Sequence, residues 1–250
     1  NINNKLKIGF SIGDFNGIGP EILLKAFCNK NIFDICVPII FSSSYILDYY
    51  KNKFSIDIEI NEQNNKIKEN QINCYSNEIF DLNILPGQVN MDSGKYAESS
   101  LRESIKYFKK GLIDSLITLP ISKINIQSKT FQFPGHTEFL QSEFTNEKSI
   151  MVMYSKDMII GFVTGHIPLS KIHNYINEYK ITEKFNIFLK SLIDDFNIKN
   201  PQIAVLGLNP HSGEDGLLGI EESEIILPIM EKLNNKNINF HGPFSSDSFF

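Results

Sequence analysis

Lys5-Leu6-Lys7-Ile8-Gly9-Phe10-Ser11-Ile12 runs directly into Gly13-Asp14-Phe15-Asn16-Gly17-Ile18-Gly19-Pro20-Glu21. The first segment reads as a short strand. Gly17-Ile18-Gly19 is a turn, and Pro20-Glu21 stands where a first helical turn favours proline and an acidic residue, so a helix follows to about Phe27. Strand, tight turn and helix in this order form the repeating unit of α/β proteins with a largely parallel sheet.

Working outward, the same alternation recurs. Val37–Phe41 is an apolar run of the buried-strand type, and Ser42–Ser44 can cap a helix beginning near Tyr45. Phe54–Ile60 alternates with period two, as a half-exposed strand does, and Asn61–Asn70 reads as loop. Ser93-Gly94 precede a helix whose Leu101, Ile105, Phe108 and Leu112 share one face, and Ser115–Leu119 follows as a buried strand. Ile150–Tyr154 and Met158–Val163 predict a hairpin around Lys156-Asp157. Ile181, Phe185, Phe188 and Leu192 mark an amphipathic helix, Ile203–Leu206 a strand, and Glu221 to about Leu233 a helix that Pro228 must kink or locally adjust.

Bulk properties narrow the function classes. The chain has 250 residues, 42% hydrophobic, enough for one large core or two modest ones. A net charge of −5 without a basic stripe argues against nucleic acid as a partner. No apolar run approaches the ~20 residues needed to span a bilayer, and no signal pattern opens the chain, so a cytoplasmic location and no membrane partner are expected. Cys28, Cys36 and Cys74 show no CxxC spacing and read as free thiols. The apolar Phe249-Phe250 end suggests that the C-terminal part of a larger fold is missing.

In α/β sheets, ligands bind beyond the carboxyl ends of strands. Three motif-bearing turns fall there, after Ile12, Val163 and Leu206. The glycine turn at Gly13–Glu21 can offer backbone N–H groups to an anion, with Asp14 as a possible lining residue, although packing alone would also explain it. It is not the GxGxxG dinucleotide fingerprint. Pro134-Gly135-His136-Thr137-Glu138 opens a short helix; His136 and Thr137 either donate to a phosphate or carboxylate or are a surface histidine beside a threonine cap.

Val163-Thr164-Gly165-His166-Ile167-Pro168 and Gly207-Leu208-Asn209-Pro210-His211-Ser212-Gly213-Glu214 each set a histidine on a strand's carboxyl edge. Neutral imidazole suits a borderline divalent ion, and two such edges in a chain of five histidines favour a shared metal over two loop histidines. A catalytic metal normally takes three protein ligands, so one is missing. His173 reads as a solvated helix residue and His241 as structural. Asp247 either caps a helix, the preferred reading, or faces the metal.

Taken together, GDFNGIGPE, TLPISK, FPGHTEFL, VTGHIPL, GLNPHSGEDGLLGIEE and GPFSSDSFF occur in the order seen in 4-hydroxythreonine-4-phosphate dehydrogenases of pyridoxal-phosphate biosynthesis. The resemblance runs from about Lys7 to Phe250, weakest across Tyr45–Ile79. It implies an α/β fold like the isocitrate and isopropylmalate dehydrogenases, with two domains (1–135 and 136–250), a central cleft and a homodimer whose metal site is shared between subunits. It implies a metal-dependent oxidoreductase. NAD or NADP would accept a hydride from 4-phosphohydroxy-L-threonine, and loss of CO2 would give 3-amino-2-oxopropyl phosphate, a step toward pyridoxal 5′-phosphate (vitamin B6).

By the same resemblance, His166 and His211 would bind a divalent cation (Zn, Mg or Co), and His136 and Thr137 would contact the phosphorylated substrate. No catalytic residue is assigned. The family's third metal histidine and its substrate-binding Lys, Asn and Arg lie beyond the GPFSSDSFF block. These 250 residues alone are therefore expected to bind metal weakly and to show little dehydrogenase activity. The competing expectations are a related dehydrogenase of another phosphorylated hydroxy acid, and a truncated, catalytically silent protein that binds a metal or a partner.

Overall fold

The computed structural model describes residues 5–62, 66–75, 82–144, 148–234 and 239–250. The chain divides into two compact units, Asn1–Glu143 and Phe144–Phe250. Among the described residues no helix is long and apolar enough to cross a membrane.

In the first unit the order is β1 (Leu6–Ser11), α1 (Gly19–Phe27), a single turn α2 (Ile32–Ile35), β2 (Cys36–Phe41) and α3 (Ser44–Lys53). Then come β3 (Ile60–Glu62), β4 (Ile72–Cys74), α4 (Met91–Lys109), β5 (Ser115–Thr118) and α5 (His136–Glu143). The strands form one sheet in the order β3-β4-β2-β1-β5, and every pairing is parallel. The α/β architecture expected from Lys5–Glu21 is thus the one observed.

The helices bury apolar stripes on this sheet. Leu23, Leu24 and Phe27 of α1 are buried, and Phe27 packs edge-on against Phe10 of β1 with ring centroids 5.6 Å apart. On α4 the buried face includes Tyr96, Ala97, Leu101 and Ile105. That helix begins at Met91 with Asn90 as cap, its side chain accepting from the Ser93 N–H, so Ser93 and Gly94 lie inside the helix rather than before it. Ser43 caps α3 by accepting from the Tyr45 N–H, as its sequence position suggests.

Pro38 sits in β2, an interior strand where a missing N–H is normally excluded. Backbone pairing with β4 reaches only Ile39 and Ile40, and the Asn73 side chain donates to the Pro38 carbonyl instead.

Three expectations need correction. Phe54–Ile60 is not a strand: Phe54 closes α3 through its N–H to Tyr50 O, and Ser55 turns the chain at φ 52°. Only Ile60 enters β3, and the predicted loop after it includes residues 63–65, which lie outside the described residues. Ser115–Leu119 does contain a strand, but among the described residues it pairs with β1 alone, and Ile117 is 43% exposed. The helix placed around His173 is a 3-10 stretch, Leu169–Tyr175, with no buried residue.

The second unit opens with the expected hairpin, β6 (Met151–Tyr154) antiparallel to β7 (Ile159–Phe162). α6 (Glu178–Asp194) buries Ile181, Phe185, Phe188 and Leu192, the four residues its periodicity singles out. β8 (Gln202–Leu206) pairs in parallel with β9 (Asn239–Phe244), and Phe240 of β9 stacks on Phe185 at 4.7 Å. Between these strands lie a π-helical segment, Glu222–Ile226, and α7 (Leu227–Asn234). The π geometry is the adjustment Pro228 requires: the Leu227 N–H bonds five residues back to Glu222 O as the chain enters the proline. The helix His136–Glu143 belongs to the first compact unit.

Candidate functional site

In the first unit, polar side chains gather at the carboxyl edge of β1. Gly13 takes φ +69°, and a Cβ there would lie 2.2 Å from Pro120 O. The Asp14 N–H bonds to that same carbonyl at 2.9 Å. Asp14 is buried, and both of its oxygens are engaged: Oδ1 accepts from the Asn16 N–H and Oδ2 from Asn125 Nδ2, each at 2.9 Å. Asn16 Oδ1 in turn accepts from the Leu85 N–H. The Tyr50 hydroxyl donates to Phe15 O at 2.7 Å, and burial, with the charges of Tyr49, Asp14 and Glu21, pushes its pKa up to about 12, so it stays a donor. Asp14 therefore organises the turn, with its carboxylate already occupied.

His136 and Thr137 begin α5. The helix rests on an aromatic cluster in which Phe139 contacts Phe131 at 4.9 Å and Phe133 at 5.3 Å, and the Arg102 guanidinium lies 5.0 Å over the Phe139 ring. Glu98 fixes Arg102 from below at 2.9 Å and also accepts from Thr130 and Ser128. Burial opposes the charge of Glu98, yet the hydrogen bonds from Thr130, Arg102 and Ser128 outweigh it and hold the carboxyl below its usual range. Burial also pushes the His136 pKa down, which keeps the imidazole neutral, and its Nε2 is buried without a partner among the described residues. An unpaired buried polar atom costs roughly 1–3 kcal/mol. His136 also opens α5, and the first N–H groups of a helix lack intrahelical partners, a setting that favours an anion.

His166 and His211 belong to the second unit. His166 is exposed on the turn after β7, where the Ile167 N–H bonds back to Gly165 O at 2.9 Å. His211, also exposed, rides on the turn after β8. Asn209 braces this turn from inside, its Oδ1 accepting from the N–H groups of His211 (3.1 Å) and Gly213 (3.2 Å). Ser212, Gly213, Glu214, Asp215 and Gly216 all take positive φ. Three of these are not glycine, a conformation that costs about 1 kcal/mol or more at each.

Asp247 lies close enough to His211 to feel its charge, and residues 245–250 are not helical. The Ser245 hydroxyl lies within hydrogen-bond reach of both Asp247 Oδ1, at 2.8 Å, and Pro210 O, and its one proton serves either acceptor. The hydrogen bond from Ser245 first, then Ser248 and the charge of His211, hold the Asp247 carboxyl below the usual aspartate range. His241 lies in β9, where its Nε2 meets Gln202 Oε1 at 2.8 Å, a structural contact as expected.

The donors fit a divalent cation in kind: two exposed imidazoles, with a carboxylate near one of them. In number they fall short, since no group of three His, Cys, Asp or Glu side chains able to hold a metal is assembled among the described residues. One residue that the sequence offered only as part of an acidic run proves central. Glu222, 3% exposed, lines a cavity of about 260 Å³ together with His211.

The family model for the pyridoxal phosphate biosynthetic protein PdxA matches residues 34–250. The 4-hydroxythreonine-4-phosphate dehydrogenase of Bacteroides thetaiotaomicron is 37% identical over 98% of this chain and 68% of its own length. That of Sulfurihydrogenibium sp. is 33% identical over 98% of this chain and 76% of its own length. The solved structure of the 4-hydroxythreonine-4-phosphate dehydrogenase from Klebsiella pneumoniae covers 100% of this chain and 76% of its own, with a TM-score of 0.84 at 24% identity, and speaks for the fold alone. Family model, relatives and fold agree, and the chain belongs to the PdxA family of pyridoxal phosphate biosynthetic proteins.

Proposed function

We propose that this chain is a 4-hydroxythreonine-4-phosphate dehydrogenase, which oxidises and decarboxylates 4-phosphohydroxy-L-threonine to 3-amino-2-oxopropyl phosphate. The observation that carries this reading is the 37% identity to a dehydrogenase of that name over 98% of the chain. The substrate's secondary alcohol loses a hydride from carbon and a proton from oxygen. The β-keto acid so formed then releases CO2, and a proton returns to carbon.

Within this reading the residues have distinct tasks. The neutral His136 imidazole, with Nε2 free, and the Thr137 hydroxyl hold substrate oxygens at the start of α5, where the helix N-terminus favours a phosphate or carboxylate. His166 and His211 are two of the ligands of a divalent cation, with Asp247 supporting His211. A bound cation would supply Lewis acidity at the alcohol oxygen, and a bound NAD or NADP would supply the hydride acceptor. Leu217, Leu218 and Ile220, exposed just beyond the His211 turn, support assembly as a homodimer.

The test is NAD or NADP reduction with 4-phosphohydroxy-L-threonine by the native gene product that carries this sequence. Activity should vanish with chelator and return with Zn2+, Mg2+ or Co2+. Undiminished turnover in His211→Ala would remove the metal role. Reduction with a four-carbon sugar-acid phosphate, and none with 4-phosphohydroxy-L-threonine, would move the assignment to another reaction of the same type.

A further inference from the structure

The turn that carries His211 is built over one buried carboxylate. Glu222 Oε1 accepts from the Leu208 N–H at 2.7 Å, at the start of the turn. Its Oε2 lies under the other end, where a Cβ on Gly213 would be 3.0 Å away, and this oxygen is buried with no partner among the described residues. Glu222 thus touches the segments on both sides of His211. Its backbone position is fixed independently by the π-helical segment, with the Leu227 N–H bonded to Glu222 O. A side chain kept only for packing would be apolar here, since leaving half of a carboxylate unmatched in the interior works against stability.

We propose that Glu222 is a positioning residue for His211, its carboxylate bonded to the Leu208 N–H at one end of the turn and packed under Gly213 at the other, so that the imidazole keeps one orientation. The inference rests on the reading of His211 as a metal ligand, but its geometric content can be tested without metal. Glutamine preserves the acceptor for the Leu208 N–H and fills the same space. Alanine removes it, and aspartate withdraws it by one methylene.

The first experiment records the imidazole NMR signals of the metal-free full chain, with His211 assigned by its disappearance in His211→Ala. Glu222→Ala is expected to shift or broaden the His211 signals while leaving those of His166 and His173 in place, and Glu222→Gln to leave all three unchanged. If Glu222→Ala does not fold, Glu222→Asp takes its place with the same expected shift. Unchanged His211 signals, or equal disturbance of all three histidines, would overturn the proposal.

The second experiment is calorimetric titration with Zn2+ alone. Loss of the support should weaken binding about tenfold or more, with Glu222→Gln returning to within about threefold of the native chain. A merely structural glutamate would lower the melting temperature and leave the Zn2+ affinity of the folded chain unchanged, which would also overturn the proposal. Should His211→Ala bind Zn2+ as the native chain does, the metal reading fails, and the NMR comparison still decides the positioning role.

Discussion

Asn125 Nδ2 lies 2.9 Å from Asp14 Oδ2, tying the glycine turn after β1 to a segment more than a hundred residues later in the chain. The same amide nitrogen is 2.9 Å from Asn90 O and from Ser93 Oγ, so one side chain joins the turn to the cap of α4. Asn125→Ala should therefore leave a buried carboxylate oxygen short of its donor. Hydrogen bonds to charged groups are worth about 1.5–3 kcal/mol, and the expected result is a loss of that size in urea unfolding, with the midpoint lowered and the slope unchanged. A variant within experimental error of the native chain would mean that the network is replaced by solvent.

Gly94 gives a prediction opposite in sign to the ordinary rule. Replacing a mid-helix glycine by alanine normally stabilises by about 0.5–1 kcal/mol. A Cβ at Gly94 would stand 2.0 Å from the Asn125 carbonyl oxygen, a backbone atom that cannot swing aside. Gly94→Ala should instead destabilise the chain by about 1–3 kcal/mol, as overpacking does. Thermal melting settles the sign, and a raised melting temperature would show that the 125 segment yields freely.

The sequence carried the elements whose signal is local and repeated. The four apolar residues of α6 and the glycine-proline start of α1 announce themselves by spacing and by chain stereochemistry. Phe54–Ile60 misled because its alternation is real, whereas Phe54 is recruited to the end of α3 and stacks on Tyr50 at 6.0 Å. β4 went unread since its pattern is only Ile72–Cys74, and Asn73 in the middle is buried through side-chain bonds to Asn61 and Pro38. Asp247 has two readings in the sequence, and the Ser245 hydroxyl that places it beside the His211 turn is a contact no spacing rule encodes. The role of Glu222 depends on a contact with Leu208 across a turn of unforeseen shape, which no spacing rule encodes.

Glu98 predicts an acid-sensitive contribution. Its carboxyl is held below its ordinary value of 4.5 in the folded chain, so the stabilisation is complete above that value and is lost as pH falls through the lower folded value. Glu98→Gln should cost about 1–3 kcal/mol at neutral pH. The gap to the native chain should close as pH drops below the ordinary glutamate value, provided both stay folded. Stability curves measured in urea against pH check this, and a gap that persists at low pH would place the loss in packing instead.

Cysteine reactivity should separate in the same way. Burial pushes the Cys74 thiol far up, and burial, only partly offset by Lys5, raises that of Cys36. Cys28 is exposed. The thiolate is the reactive form, so a thiol reagent at mildly alkaline pH should label Cys28 rapidly in the folded chain and the other two only on unfolding. Rapid labelling of Cys74 in the native state would show that β4 opens.

His136 separates stability from binding. Its buried Nε2 has no partner among the described residues, so replacing the ring by an apolar side chain of similar reach removes an unmatched group instead of a useful bond. His136→Leu should leave stability at pH 7 unchanged or slightly raised. Because burial depresses the imidazole's pKa, the unfolded chain takes up the proton first as pH falls below about 6.5, and native stability declines there. The leucine variant should lack that decline. Binding should move the other way: losing a hydrogen bond to an anionic substrate oxygen costs about 1.5–3 kcal/mol, or roughly ten- to a hundredfold in affinity. The decisive measurement pairs urea unfolding with KM for the phosphorylated substrate. A histidine serving only the fold would give the reverse result, a large loss of stability with KM unchanged.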